Sequence, residues 1–566
     1  MKYIEGYDRA QLILFPEKLD DLVSDDNPVR LMEVFVEQLD LVGMGFKNAT
    51  LAQSSAGAPC FSPKCLLKLY IYGYFKKTRS SRKLMELART NIEAMWLLER
   101  LMPDFRTISD FRKENARALK KVLKAFVRMC IELDLYSTEV GVQDGSKFRA
   151  SNSKDNNVTE TKLQKKLELA EEKLNKYLEE LDKYDKEESD AKKYTKEEIE
   201  AKIEEIKKRK DHYNDLQNRM KEDGIAQISF TDPESRLMKT ANGGFNVSYN
   251  VQTVVDPVSH MVGFVEVTNQ CNDMGQLSPI MIEAKEDLGI DVIEAVADKG
   301  YEDHADMLEC IKNGIIPHVS TKSGEESCEF ELDYKETTIT EELLNSTKPE
   351  DIQTCLETGV VPNVYKEKGL EVLVHDVEQY STDESDPKSR FTLNEDATAV
   401  ICPNGLKLNK VARLHIKEMT RFTCRSACRG CKEKCTTSAY KQVDLKDGQT
   451  ALYIKKYQTV KKVKIKLTLD MGKIRNRKCV VEHPFGTVKF WCDGSYTLLR
   501  GTMKVAADIS LMFLGYNLKR AINMMGVREL IEKMREMKGN QLAYFLRFFQ
   551  ISIISPSYRI SLAIFA

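Results

Sequence analysis

The sequence predicts an α/β protein of several domains, and changes in hydrophobic period along the chain lead to this prediction. Residues 1–135 repeat apolar side chains at helical spacing. Residues 136–157 and 223–320 follow the order strand, hairpin, helix, strand, which becomes continuous once residues 158–222 are set aside as an insertion. At 566 residues the chain is also too long for one ordinary core.

The N-terminal segment shows the spacing of amphipathic helices. Leu66, Tyr70 and Tyr74 recur at helical intervals, and a further helix is predicted to open with a capping box of Thr107 and Asp110. The opposite face of that helix carries lysine and arginine. Such a face either contacts a polyanion or only keeps the helices solvated, so the pattern predicts a helical domain and leaves its partner open.

The following segments predict the central sheet. The stretch "VGVQDGSKF" alternates like a strand and contains Asp144, and two later strands form a hairpin turned by Asp256 and Pro257. A helix is predicted to end at Gly289, before a buried strand that stops at Asp298.

Residues 158–222 predict an antiparallel coiled-coil hairpin. Two Lys/Glu-rich helices, the second capped by Thr195 and Glu198, each carry an apolar seam. The seam residues are Leu163, Leu167, Ala170, Leu174, Tyr177, Leu181 and Tyr184 in the first helix and Ile199, Ile203, Ile206, Tyr213, Leu216 and Met220 in the second. The hairpin is expected to act in spacing or self-association.

Residues 321–470 form a second predicted insertion, first acidic and then rich in cysteine. Four thiols fall within a short stretch and a fifth lies upstream in "CPNG": Cys424, Cys428, Cys431, Cys435 and Cys402. Four such thiols suit a closed tetrahedral Zn²⁺ site, with five candidates for four positions, and free thiols are the alternative. Cys130 and Cys310 lie in apolar helices and are predicted to be core residues.

Opposite charges are segregated along the chain, although its net charge is −1. Residues 61–135 carry 17 Lys and Arg against 8 Asp and Glu, and residues 455–489 carry 11 against 2. Residues 322–396 hold 20 acids and 7 bases. This distribution favours a nucleic-acid binder with an acidic insertion, and solvated helix faces would explain each block alone. With no leader-like or membrane-spanning segment, we expect a cytoplasmic protein with reduced cysteines.

Three carboxylates occupy positions suited to chemistry. Asp144 lies in a strand, Asp298 follows a strand where open α/β sheets place ligands, and Glu482 is predicted at the start of a helix inside a basic stretch. Carboxylate oxygens are the ligands that Mg²⁺ prefers, and two such ions clamp both oxygens of a phosphodiester displacement. Taken singly, each acid is more commonly a turn or surface residue.

Several motifs, in order, resemble one family. "VGVQDGSKFRAS", "TDPESRLMK", "GFNVSYNVQTVVD", "VADKGY" and "VVEHPFGTVKFW…LLRGTMKVAADISLMFLGYNLKR" are similar to the DDE transposases of bacterial insertion sequences. The resemblance spans about residues 1–525. It is close to the branch of the family that has a helical N-terminal domain and a cysteine-containing insertion before the final Glu.

This resemblance implies an RNase H-like core made of residues 136–157, 223–320 and 471–530, with residues 531–566 as a C-terminal tail. It implies that Asp144, Asp298 and Glu482 bind Mg²⁺ or Mn²⁺, and that Lys489 faces the transposon-end DNA. Some relatives have Tyr and Arg seven and four residues before the Glu, where this chain has Arg475 and Lys478. These two residues are expected to keep positive charge against the DNA.

The implied function is metal-dependent cleavage of transposon ends and strand transfer. The expected partners are double-stranded DNA, as inverted-repeat ends and as target, and a second copy of the chain or a larger assembly. Residues 1–135 would then be a DNA-binding domain. One alternative is a non-catalytic DNA-binding remnant, which the apolar tail "RFFQISIISPSYRISLAIFA" leaves open. A metal-dependent nuclease without strand transfer is another.

Three further residues lie near these motifs. Asp232 is expected to cap a turn rather than to approach the site. His483 either touches phosphate or packs, and Trp491 is expected in the core.

Overall fold

A computed structural model of the chain describes residues 18–49, 60–186, 195–240, 243–381, 390–414, 419–432, 438–446, 448–453 and 456–540. The chain divides into two compact units. The first comprises Met1–Cys328, Thr347–Glu350 and Thr468–Ala566, and the second comprises Glu329–Ser346 and Asp351–Leu467. Cys435 and most of the predicted C-terminal tail lie outside the described residues.

The helices within the described ranges are α1 (Pro28–Gln38), α2 (Leu41–Met44), α3 (Pro63–Phe75), α4 (Ser81–Thr90), α5 (Ile92–Leu97), α6 (Phe105–Glu114), α7 (Ala116–Glu132), α8 (Glu160–Lys186), α9 (Lys196–Glu222), α10 (Leu277–Leu288), α11 (His304–Lys312), α12 (Glu341–Asn345), α13 (Pro349–Glu357), α14 (Arg425–Arg429), α15 (Met471–Gly486), α16 (Thr502–Met525) and α17 (Val527–Asn540). A π-helical turn, Thr487–Trp491, follows α15.

The strands are β1 (Val140–Arg149), β2 (Asn157–Thr159), β3 (Gln227–Ser229), β4 (Arg236–Lys239), β5 (Phe245–Val255), β6 (Val262–Thr268), β7 (Ile293–Ala297), β8 (Ile315–Val319), β9 (Ser327–Asp333), β10 (Leu370–Ser381), β11 (Arg390–Leu393), β12 (Ala399–Ile401), β13 (Lys407–Leu414), β14 (Met419–Thr423), β15 (Gln442–Lys446), β16 (Ala451–Tyr453) and β17 (Lys456–Thr468).

The first unit is built on a six-stranded sheet. Its strands pair in the order β4-β5-β1-β7-β8, and β6 also pairs with β5. The pairs of β5 with β1, β4 and β6 are antiparallel, whereas β1–β7 and β7–β8 are parallel. Helix α10 ends at Gly289, whose φ of 73° is the left-handed conformation that glycine adopts without strain. The predicted strand, hairpin, helix, strand order is therefore confirmed.

One continuous apolar core joins the N-terminal helices to this sheet. Helix α16 packs against α3, α7 and β6, and it is buried on every side over most of its length. Its buried residues and those of α1, α3 and α7 belong to the same hydrophobic cluster as strands β5 and β6. The helical part thus shares its core with the sheet instead of enclosing one of its own.

The predicted capping box of Thr107 and Asp110 is wrong. Helix α6 begins earlier, because the Asp104 carboxylate accepts hydrogen bonds from the backbone N–H groups of Arg106 and Thr107. The helix also stops at Asn115, which separates it from α7. The apolar spacing continues across this break, so the pattern alone did not reveal it.

A buried ionic network links the N-terminal helices to α16. Asp508 is 0% exposed, and its carboxylate pairs with Arg79 at 2.7 Å and with Arg112 at 3.4 Å, both nearly buried. The hydroxyl of Tyr74 donates to the same carboxylate. Burial alone would raise the pKa of Asp508, but the two guanidinium groups hold it below its usual range. The network therefore contains a charged, fully enclosed carboxylate.

Helices α8 and α9 form an antiparallel pair that projects from a short two-stranded ribbon. Lys210 contacts Glu171 at 2.7 Å and Gln217 contacts Gln164 at 3.1 Å, a pairing in which one residue number rises as the other falls. Strands β2 and β3 close the base, with Thr159 opposite Gln227. Several predicted seam residues are buried: Leu163, Leu167, Ile199, Ile203, Ile206, Leu216 and Met220. The Thr195–Glu198 capping box is also present, whereas the side chain of Tyr184 lies outside the described residues.

This base suggests a clean excision of the hairpin. Replacing residues 160–226 by Asn-Gly would join Thr159 to Gln227 through a two-residue turn that keeps their register. We expect a soluble protein whose Tm falls by no more than about 4 °C, roughly 1 kcal/mol, and whose self-association, a role predicted for the hairpin from its sequence, is impaired. Calorimetry and sedimentation would measure both properties, and Lys208→Gln, on the exposed face of α9, is the control. Precipitation of the excised protein would contradict a separable hairpin.

The second unit contains two further sheets. Strands β10, β17 and β9 form a three-stranded sheet, and another runs in the order β15-β14-β13-β12-β11-β16. The six-stranded sheet encloses a small core of its own: Phe391, Val400, Leu408, Phe422, Val443 and Leu445. Among the helices described in either unit, none has the length and apolarity needed to span a membrane.

Candidate active site

Two of the three predicted carboxylates lie side by side on the central sheet of the first unit. Strands β1 and β7 run parallel with Val142 paired to Val296, and Asp144 and Asp298 each follow two residues later. The two acids therefore project at the same level from adjacent strands. Asp144 falls within β1, and Asp298 directly follows β7, where its carboxylate also accepts a hydrogen bond from Gly300 N–H at 2.8 Å.

A single guanidinium group bridges these carboxylates. Arg477 of α15 places Nη1 3.6 Å from Asp144 Oδ1 and Nη2 3.8 Å from Asp298 Oδ2. Its side chain is 15% exposed, against 23% for Asp144 and 39% for Asp298. The pair of acids thus already holds one cation in this arrangement.

The surroundings of Asp144 shift its pKa in two directions: burial and a neighbouring negative charge raise it, and Arg477 lowers it. Burial raises the pKa of Asp144 to about 6, Arg477 lowers it, and the nearby charge of Asp298 raises it again. A carboxylate in this position gains from any cation that approaches it. The electrostatics therefore favour positive charge between the two acids.

A third acid, Asp273, lies close to Asp144. Its Oδ1 accepts hydrogen bonds from Asn250 at 2.7 Å and from Gln252 at 2.8 Å, and Lys147 lies 3.3 Å away. A Cβ at Gly145 would lie 2.6 Å from Asp273 Oδ1, so any larger residue there would force the Asp273 side chain to shift. Because three donors already hold Asp273, it is a neighbour that orders the strand surface and is less available as a ligand.

Helix α15 is anchored to the sheet at its N-terminus. The Asp470 carboxylate caps the helix by accepting from Lys473 N–H at 3.0 Å, and the Asp470 N–H donates to His318 Nδ1 at 3.1 Å. Since Nδ1 accepts, the proton of neutral His318 is assigned to Nε2, which lies 3.2 Å from the buried carboxylate of Glu294. Lys473 also forms an ion pair with Glu294. These contacts fix the helix that carries Arg477 and Glu482.

Glu482 lies apart from the other two acids. It was predicted at the start of a helix, which is wrong, because α15 begins at Met471 and Glu482 lies four residues before its end at Gly486. Its side chain is 64% exposed, and its carboxylate lies 3.7 Å from Lys478. Within the described residues, no three His, Cys, Asp or Glu side chains form a group that could hold a metal ion.

The predicted DNA-contacting residues occupy different environments. Arg475 and Lys478 are exposed on α15. Lys489, by contrast, lies against β1, where Nζ donates to Ser146 Oγ at 2.5 Å and to the Lys147 carbonyl at 3.0 Å. Burial lowers the pKa of Lys489 to about 8. The structure thus ties Lys489 to the strand that carries Asp144.

The described cysteines of the predicted zinc site lie in and around α14 and in a loop: Cys428 is in α14, Cys424 directly precedes that helix, and Cys402 and Cys431 lie in loops. The Leu406 N–H donates to Cys402 Sγ at 3.3 Å, and the Asn404 side chain donates to Cys431 Sγ at 3.4 Å. Hydrogen bonds from Ser426 and from backbone N–H groups lower the pKa of the Cys424 thiol. The lowered pKa favours the thiolate form of Cys424. Cys130 and Cys310 are fully buried, as predicted.

The remaining predicted residues have structural partners. The Asp232 backbone forms the expected turn, while its buried Oδ1 accepts from the Tyr249 hydroxyl at 2.7 Å and from Gly501 N–H at 3.1 Å. His483 Nδ1 lies 2.8 Å from the Tyr516 hydroxyl, which favours the packing interpretation. The side chain of Trp491 lies outside what the structure describes.

Arg477 was not singled out from the sequence, although a signal was present. It lies between Ile474 and Val481 at helical spacing, and both of these contribute to the core. An arginine in the apolar stripe of a helix needs a buried or half-buried partner. That position distinguishes it from the exposed basic residues on either side.

Comparisons with known proteins identify two transposase regions. A family model described as "Transposase domain (DUF772)" matches residues 17–114, and one described as "Transposase DDE domain" matches residues 401–522. No curated protein matches the chain. Among solved structures, a piggyBac transposase synaptic complex with hairpin DNA aligns at 8% identity and a TM-score of 0.29, covering 94% of this chain and 83% of that one.

Proposed function

We propose that the chain is a DDE transposase of an insertion sequence, because transposase family models match residues 17–114 and 401–522, and that Asp144, Asp298 and Glu482 form its catalytic centre for cleavage and strand transfer. The observation that carries this proposal is the pairing of Asp144 with Asp298 on adjacent parallel strands, with one cationic group between them. Because carboxylates and DNA phosphates are both negatively charged, carboxylates placed in this way can act on DNA only when cations lie between them and the phosphates.

The two aspartates fit a divalent cation. Both offer hard oxygen ligands, which Mg²⁺ and Mn²⁺ prefer, and both already lie within ion-pair distance of the guanidinium of Arg477. Glu482 is proposed as the third ligand. Its contact with Lys478 is an exposed pair at i,i+4 spacing, and such pairs are weak, so little opposes its release.

The arrangement of strands supports an RNase H-like core for this centre. Strands β6, β5 and β1 are antiparallel neighbours, and β7 and β8 extend the sheet in parallel from β1. Asp144 lies on the strand where the two halves meet.

The chain's own residues divide the work of the reaction. When bound, the divalent cations would activate the attacking oxygen and neutralise the leaving oxygen of an in-line displacement. Asp144, Asp298 and Glu482 would hold those cations, while Arg475 and Lys478 would bind phosphates along α15. Lys489 positions β1 through its contacts with Ser146 and Lys147.

Double-stranded DNA is the proposed partner, both as transposon ends and as target. Cutting two ends requires at least two such centres, so we propose a dimer or larger assembly on DNA in the cytoplasm. Counterion release from the phosphates would make this binding weaker as salt increases.

Strand transfer provides the direct test. Full-length protein would be incubated with a pre-cut DNA end, taken from sequence flanking the gene, and with supercoiled plasmid in the presence of Mg²⁺ or Mn²⁺. We expect joined products with the 3′ end of the donor linked to plasmid. Cutting without joining would favour a metal-dependent nuclease, and neither cutting nor joining despite DNA binding would favour a non-catalytic remnant.

Zinc is proposed at the cysteine cluster of the second unit. Protein purified without chelator should contain about one Zn²⁺ per chain, the loading of a single four-ligand site. Replacing Cys424 and Cys428 together by serine should remove it, because both are proposed ligands. The matched control is Cys60→Ser, at an exposed cysteine of the first unit. Elemental analysis that finds less than about a tenth of this loading in unmodified protein would contradict the site.

A further inference from the structure

Arg477 contacts two aspartates at once without a direct hydrogen bond to either of them. At 3.6 and 3.8 Å its nitrogens lie beyond hydrogen-bond range of the carboxylate oxygens, so its attraction to the two acids is electrostatic. In contrast, Arg79 approaches Asp508 to 2.7 Å, and Arg421 forms two contacts of 2.8 Å with Asp444. Those two arginines are fixed by directional bonds, whereas Arg477 is not.

The position of Arg477 also gives it a second possible partner. Its side chain is partly exposed, and it lies on α15 between Arg475 and Lys478, the residues proposed to follow DNA phosphates. The planar guanidinium fork matches phosphate geometry as well as it matches carboxylate. A phosphate near α15 would therefore compete for the same group that now neutralises Asp144 and Asp298.

We propose that Arg477 is an exchangeable counter-cation that couples DNA binding to divalent-cation binding. In the free protein it neutralises Asp144 and Asp298 and weakens the binding of divalent ions there. When DNA is bound, its guanidinium pairs with a phosphate and leaves both carboxylates to the ions. Arg477 is thus a positioning residue, and the inference rests on the carboxylate centre proposed above.

This exchange has a thermodynamic consequence that can be measured without catalysis. If DNA removes Arg477 from the aspartates, then DNA must raise the affinity for Mn²⁺, and Mn²⁺ must raise the affinity for DNA by the same factor. A protein without the guanidinium would bind Mn²⁺ tightly from the start. Loss of a merely structural contact would instead weaken the site.

The experiment compares Arg477→Gln with unmodified full-length protein by electron paramagnetic resonance of free Mn²⁺. The titrations are made alone and with a short duplex of arbitrary sequence, after subtraction of Mn²⁺ bound by duplex alone. In unmodified protein we expect the duplex to tighten Mn²⁺ binding about tenfold. Arg477→Gln should bind about tenfold tighter without DNA, and the duplex should then change its affinity less than about twofold.

Arg209→Gln is the matched control, since it removes the same charge from an exposed position on α9 and Arg209 is not among the residues proposed to bind DNA. The Mn²⁺ affinity of this control, with and without duplex, should equal that of unmodified protein, because the general attraction of Mn²⁺ to bound DNA is the same in the two proteins. Arg477→Lys keeps the charge and should keep weak binding in the absence of DNA. Mn²⁺ binding by Arg477→Gln that is unchanged or weaker without DNA would overturn the inference.

Different results would contradict the carboxylate centre and the exchange of Arg477. If Asp144→Asn abolishes Mn²⁺ binding while Arg477→Gln behaves like unmodified protein, the carboxylate centre stands and the exchange is wrong. If Asp144→Asn binds Mn²⁺ as unmodified protein does, the centre itself is wrong, and the exchange fails with it.

Discussion

Cleavage of transposon-end DNA should fall by at least about a hundredfold in Asp144→Asn, a loss of about 2.7 kcal/mol in transition-state stabilisation. Asparagine keeps the size of the side chain and one carbonyl oxygen, but it removes the charge that lies opposite Arg477. The proposed cation would then lose a ligand from the centre of the sheet. Binding to end DNA should persist, since Asp144 is not a proposed DNA contact.

The same loss is expected for Glu482→Gln, which also tests whether an exposed glutamate belongs to the centre. Nicking and double-strand cleavage of end-bearing DNA would be measured by gel electrophoresis, beside DNA binding. Asp291→Asn, exposed and located before β7, is the control for Asp144. Glu529→Gln, an exposed i,i+4 partner of Lys533 on α17, is the control for Glu482. If Glu482→Gln cleaves as its control does, the glutamate is only a surface charge.

The second large effect concerns stability. Asp508→Asn should destabilise the first unit by about 3–5 kcal/mol, because Arg79 and Arg112 would remain buried without a counter-charge. The midpoint of unfolding in urea and the calorimetric Tm of the first unit would both decrease. Arginine cannot escape the cost by losing its proton, since its pKa lies far above neutral pH.

Asp25→Asn provides the comparison for this effect. Asp25 also pairs with an arginine, Arg528, but at 3.8 Å and with both side chains largely exposed. Its replacement should leave Tm unchanged within error. Equal shifts in Asp508→Asn and Asp25→Asn would mean that burial of the network contributes nothing.

The elements with a strong local period were predictable from the sequence. Strand β1, the β5–β6 hairpin, α10 with its Gly289 cap and β7 all follow from alternation, helical spacing and turn residues. Asp144 and Asp298 were found because their places on strands follow from the same pattern. That they would be neighbours depended on the parallel pairing of β1 with β7, which the resemblance supplied.

What the sequence did not reveal depends on contacts between distant parts of the chain. The cap at Asp470 starts α15 well before Glu482, with Pro484 tolerated inside the helix ahead of the π-helical turn. Arg477 and Asp508 look like ordinary charged residues until their partners are known. Local spacing carries no information about a partner several hundred residues away.

The network around Asp508 has a consequence for how the protein is made. Arg79 and Asp508 are 429 residues apart, so a ribosome must synthesise nearly the whole chain before the N-terminal helices receive their buried counter-ion. Domains that fold as they emerge complete themselves early, but here α3, α6 and the segment that carries Arg79 between α3 and α4 must wait for α16. Products of premature termination before Asp508 should therefore be degraded rather than accumulate beside the full-length protein. Limited proteolysis of stalled nascent chains, ending before or after α16, would detect the difference.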